Sequence, residues 1–129
     1  MKKLQLILFC LTLILGCNSK SKLEKAMIAS VNEINKSCPM FVDEQTRLDY
    51  AEVDENGFFH YVYTFPTVSK SDIDISSFYM IQRDMLNEQY YTNSDLSFFK
   101  ENKVILKYTY FDMYKNQIIS IVIPKIRND

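Results

Sequence analysis

FFHYVYTF, residues 58–65, is a run of aromatic and β-branched side chains closed by Pro66. Such residues favour strands, and proline cannot donate to a strand ladder. Side chains alternate across a strand. Phe59, Tyr61, Tyr63 and Phe65 therefore share one face, while Phe58, His60, Val62 and Thr64 share the other. One face is wholly aromatic, and core packing is its expected fate. Upstream, Asp54-Glu55-Asn56-Gly57 reads as a turn, and Thr46 to Val53 mixes β-formers with charges. The two segments predict a hairpin.

The same design recurs downstream. Val104, Leu106, Tyr108 and Tyr110 alternate along a third strand and Ile119, Ile121 and Ile123 along a fourth, with Asp112 to Asn116 as the turn. If the hairpins adjoin, Tyr108 and Tyr110 meet the aromatic row and leave phenol hydroxyls at its rim.

A helix precedes each hairpin. Ser21-Lys22-Leu23-Glu24 has the form of a capping box. Leu23, Met27, Ser30 or Val31, and Ile34 then recur at helical spacing until Pro39 stops the helix by about Ser37. A second helix is predicted from Asp74 or Ser76 to Tyr90, with Phe78, Ile81 and Met85 along one stripe and Tyr79, Leu86 and Tyr90 beside it. Ser94 to Asn102 adds one or two short helical turns. The order αββαββ, without a residue-level repeat, predicts an α+β two-layer sandwich: one antiparallel sheet of about four strands with both helices on one face. The opposite face is left wet or free for contact.

Ahead of this domain stands a leader. Met1-Lys2-Lys3 is basic, and Leu4 to Leu15 is apolar apart from Gln5 and Thr12. That run is short of the roughly 20 residues needed to span a bilayer and has the pattern of a secretory signal. Where it ends, Ile14-Leu15-Gly16-Cys17 resembles the lipobox of bacterial lipoprotein precursors. The resemblance implies cleavage before Cys17, lipidation of its thiol and acylation of the new amino terminus. Two or more acyl chains give stable anchoring where one is marginal. The expected organisation is a signal peptide over 1–16, lipidated Cys17 with a short tether over 17–20, and one domain over 21–129. Asn18, rather than Asp, after the anchor favours the periplasmic face of the outer membrane if the cell is Gram-negative. The membrane is then a partner through the lipid on Cys17.

Composition removes whole classes of function. Losing 16 of 129 residues leaves 113, and losing Lys2 and Lys3 leaves 13 basic residues against 16 acidic ones. Nucleic-acid binding needs concentrated positive charge and is not expected. Cys10 leaves with the signal and Cys17 carries lipid, so Cys38 has no partner for an intramolecular disulfide; burial is the usual fate of such a thiol. Gly57 is the one glycine after the leader, which excludes glycine-rich phosphate loops and dinucleotide fingerprints in their usual form. One histidine and one remaining cysteine do not make a zinc site. Asp72-Ile73-Asp74 suits a helix start better than a calcium loop. Neither cofactor nor metal is expected.

Three groups of residues are candidates for a role. The polar stretch from Asn35 to Asp49 resembles a segment of some small uncharacterised bacterial exported proteins, with an Asn-Lys-x-Cys-Pro, Val-Asp, Thr-Arg-Leu-Asp pattern, and the resemblance carries no activity. Within it Asp43, Arg47 and Asp49 form a structural or binding loop, a structural corner being the plainer reading. Two helices cannot cover two aromatic faces, so some of Phe58, His60, Phe98, Phe99, Phe111 and Tyr114 are expected to mark a partner surface. His60 lacks an evident nucleophile or orienting group, so no catalytic residue is assigned.

The sequence therefore predicts an envelope lipoprotein whose domain binds another macromolecule, with an envelope protein as the expected partner, as a scaffold or accessory. A toxin-neutralising or enzyme-inhibiting lipoprotein is the main alternative and a cell-wall hydrolase a weaker one. Oligomeric state is not legible.

Overall fold

The computed structural model describes residues 18–124; the leader and Cys17 lie outside the described residues. Helix α1 spans Asn18–Asn35, followed by strands β1 (Met40–Phe41), β2 (Arg47–Val53) and β3 (Phe59–Thr64). Helix α2 (Ile75–Thr92) and the five-residue α3 (Ser97–Glu101) precede β4 (Leu106–Phe111) and β5 (Gln117–Ile123). The fold is α+β, as expected, with two corrections. The sheet has five strands in the order β1-β2-β3-β4-β5, and its central pair, β3 and β4, is parallel.

The parallel pair follows from the crossover. The two hairpins meet through their second and first strands, and the connection from Thr64 to Leu106 carries α2 back to the end where β3 began. Only a long connection of this kind can join parallel neighbours. Strand β1 escapes sequence reading because two exposed residues carry no alternation. It pairs Met40 with Leu48 and Phe41 with Arg47.

The aromatic face is covered by the helices. Phe59, Leu106 and Ile121 are fully enclosed, and Ile123 beside them is nearly so. Burying one such side chain stabilises by about 1.5–3 kcal/mol. Met27 of α1, Leu86 and Tyr90 of α2 and Phe99 of α3 close this core from above. Helix α1 packs over β2 and α2 over β5.

The helix boundaries have local causes. Asp74 caps α2, its carboxylate accepting from the backbone N–H of Ser77 at 3.2 Å and from its hydroxyl at 3.0 Å. This supports the helix-start reading of Asp72-Ile73-Asp74. Helix α1 already begins at Asn18, so Ser21 lies within it rather than at its cap; no glycine or proline separates the two. In α2 the inward strip is Phe78, Gln82, Leu86 and Tyr90, four residues apart, while Ile81 is 66% exposed and Met85 43%. Of the predicted Phe78-Ile81-Met85 stripe, Phe78 faces inward while Ile81 and Met85 turn outward, the helix packing on β5 with Leu86 and Tyr90 in the core.

Candidate functional site

Between α2 and the β1–β2 loop lies a groove of about 660 Å³, a volume within the range of ligand sites. Its floor is aromatic. Tyr63 of β3 stacks on Tyr110 of β4 with centroids 5.1 Å apart, and Phe65 stacks on the other side of Tyr110 at 5.6 Å. Phe78 from α2 stands edge-on to Phe65 at 5.7 Å and to Tyr110 at 5.8 Å. The parallel register of β3 and β4 makes these pairs, setting Tyr61 beside Tyr108 and Tyr63 beside Tyr110. The predicted meeting of the aromatic row with Tyr108 and Tyr110 therefore occurs, with Tyr61 and Tyr108 stacked at 5.3 Å.

One wall of the groove is Gln82, Met85 and Leu86 of α2, and the other is the loop Val42 to Thr46. Asp43 sets the shape of that loop. Its Oδ1 accepts from the backbone N–H groups of Gln45 and Thr46, each at 2.8 Å, an Asx turn that reverses the chain into β2. The N–H of Gln45 foremost holds the Asp43 carboxyl below its ordinary pKa, so the carboxylate is charged. Burial pushes the phenols the other way. Tyr61 is raised to about 12, and Tyr63, Tyr108 and Tyr110 are raised further. The floor is thus neutral at any physiological pH, with the Asp43 carboxylate at the lip and Glu44 next to it in the lining.

The open face of the sheet carries a different arrangement. Nδ1 of His60 lies 2.9 Å from Glu52 Oε1, and Nε2 lies 2.8 Å from Thr109 Oγ1, which is 3.1 Å from Ser120 Oγ. One polar chain thereby ties β2, β3, β4 and β5 together. His60 and Thr109 are both buried, so His60 is a cross-strand link and not part of an exposed partner surface. Nearby, Asp49 accepts from Arg47 Nε at 2.6 Å and from the Thr64 hydroxyl at 2.5 Å.

The predicted candidates are thus dispersed. Asp43 lines the helix-side groove, whereas Arg47, Asp49 and Phe111 line a separate depression of about 410 Å³ on the open face. A slip in the β2 ladder between Leu48 and Tyr50 accompanies this split of the loop. Phe99 is buried against Phe59 at 4.7 Å, a correction to its reading as partner surface: α3 turns it into the core. Phe58 is half-buried beside the β2–β3 turn, Phe98 is 37% exposed on α3, and Tyr114 is 66% exposed in the β4–β5 turn. Sequence reading missed Phe65, Phe78 and Gln82 as groove residues, because only the crossover brings α2 over the floor. Among the described residues no cluster of three or more His, Cys, Asp or Glu is placed to hold a metal ion.

A sheet with a central parallel pair, helices packed against it and an aromatic groove between helix and loop define a small α+β domain. The chain belongs to the family described as a domain of unknown function, DUF8479, whose model matches residues 22–120. No curated protein matches the sequence. Among solved structures it is similar to PA3611 of Pseudomonas aeruginosa, a protein whose secretion is itself an inference. The identity is 14%, the match covers 78% of this chain and 88% of that one, and the TM-score is 0.65, a likeness of fold.

Proposed function

We propose that this protein is an exported lipoprotein, held in the cell envelope by lipid on Cys17, whose domain binds another envelope macromolecule and performs no chemistry. The groove carries the reading: an aromatic floor of neutral phenols, a helix wall with Met85 and Leu86 and a polar loop wall bearing the Asp43 and Glu44 carboxylates suit recognition. The one histidine supports it as well. Its two nitrogens are engaged by Glu52 and Thr109, and Thr109 is only 4% exposed, so neither is presented to a substrate. The fold likeness to PA3611 and the signal-like leader agree with export, and no helix among the described residues is long and apolar enough to cross a membrane. Asn18 after the anchor favours the periplasmic face of the outer membrane in a Gram-negative cell.

The test is crosslinking in intact cells, capture of the lipidated protein and quantitative mass spectrometry against Cys17→Ala. Enrichment of envelope proteins with the wild-type chain alone is expected. Membrane retention of Cys17→Ala after signal removal would sink the lipid anchor. Capture of one lytic enzyme or toxin would turn the reading towards an inhibitor, and capture of no protein would turn it away from a protein partner.

A further inference from the structure

We propose that the helix-side groove receives an arginine side chain of a partner polypeptide, its guanidinium set between the Tyr110–Phe65 floor and the Asp43 carboxylate. This deepens the binding reading above and rests on it. The first observation is charge: the groove lining includes Asp43 and Glu44 and neither lysine nor arginine. The second is Tyr110. It is 5% exposed, lines the groove and has no hydrogen-bond partner for its hydroxyl among the described residues.

That hydroxyl is not sealed in. Among the described residues, the fully enclosed side-chain polar atom lacking a partner is Asp54 Oδ2, so the Tyr110 oxygen keeps an opening, and Tyr110 opens on the groove. A neutral phenol there can accept from a guanidinium N–H. Asp43 lies close enough for its charge to raise the Tyr110 phenol further, and both loop N–H groups go to its Oδ1, so its Oδ2 takes neither of them.

The chemistry favours arginine over lysine. A guanidinium is planar and weakly hydrated and can fork onto a carboxylate while donating to a phenol oxygen, whereas an ammonium holds its water. Val42, Met85 and Leu86 supply apolar walls for the methylene stem.

The experiment is amide-shift mapping by NMR on the full ¹⁵N-labelled chain in detergent, titrated with acetyl-Leu-Arg-Leu-amide. The matching citrulline peptide has the same shape without the charge, and the lysine peptide has the charge without the plane. Shifts confined to 42–46 and 78–86, with the arginine peptide at least tenfold tighter than either control, are expected. Asp43→Asn keeps an oxygen that accepts from Gln45 and Thr46, and should abolish that preference in a chain that stays folded, its amide spectrum outside 42–46 unchanged. Glu33→Gln, on exposed α1, should leave it intact. Equal binding of the citrulline peptide in the groove would overturn the cation and leave the groove as a binding site. Equal or tighter lysine binding would overturn the guanidinium. Absence of shifts in the groove with every peptide, or shifts elsewhere, would overturn both the proposal and the groove's role.

Discussion

Asn35, at the end of α1, makes a two-way hydrogen bond with the backbone of Ala51. Its Nδ2 donates to the Ala51 carbonyl at 2.9 Å, and its Oδ1 accepts from the Ala51 N–H at 2.8 Å. Strand β1 pairs only with residues 47 and 48, so the outer edge of β2 lacks a neighbouring strand at Ala51. The amide of Asn35 stands in for one and fixes α1 to the sheet. Asn35→Ala leaves both backbone groups of a residue that is 2% exposed without their partner. Two such bonds at about 1 kcal/mol each give an expected loss of about 2 kcal/mol in urea unfolding, with Asn35→Asp recovering part of it through Oδ1.

The stacked phenols titrate late. Tyr61 is raised to about 12 by burial, and Tyr63, Tyr108 and Tyr110 are pushed beyond it, against an ordinary value of about 10. A raised phenol pKa means that folding favours the neutral form. That stability is fully present below about pH 10 and is lost as pH rises through the folded values. Ultraviolet titration should show a group of tyrosines that ionise only as the near-ultraviolet circular dichroism collapses. Ionisation of all tyrosines in one step near pH 10, with the fold intact, would contradict the packing.

Acid acts on a different residue. Asp112 is 1% exposed in the β4–β5 turn, and its carboxylate accepts from the N–H groups of Lys70, Tyr114 and Asn116. Burial works against its charge, but the three N–H groups outweigh burial and hold its pKa below the ordinary value. The stabilisation is present above about pH 3.9, the unfolded value, and fades as pH falls through the lower folded one. Asp112→Asn should lower Tm at pH 7 and reduce the loss of Tm between pH 5 and pH 2. An unchanged acid limb in the variant would show that other carboxylates control it.

Cys38 should react slowly with maleimide in the native protein. It is partly buried, its thiol lies 3.4 Å from the Ile34 carbonyl, and burial first, then the Asp49 carboxylate, raise its pKa. Since the thiolate is the nucleophile, labelling at pH 7 should run several-fold slower than in urea. Equal rates would place the thiol in open solvent.

Much of this molecule is local in origin and was therefore legible in the chain. The alternation in residues 58–65 and 104–110, the spacing of Leu23, Met27, Val31 and Ile34, and Asp74 before a helical run all express periods of 2 and 3.6 residues. They define strands, helices, the α+β class and the face on which Phe59 is buried. The lipobox resemblance is equally local, and so is the reading of Asp43 as a loop former. The tertiary structure decided how these pieces meet. Whether two hairpins join antiparallel or through a parallel β3–β4 pair depends on where a long connection returns, and no periodicity encodes that. From that one choice come the Tyr63–Tyr110 stack, the placement of Phe78 over it and the groove with Asp43 at its lip. The same choice aligns His60 with Thr109 on the far face, burying in a cross-strand chain a residue whose place in a strand suggested the surface.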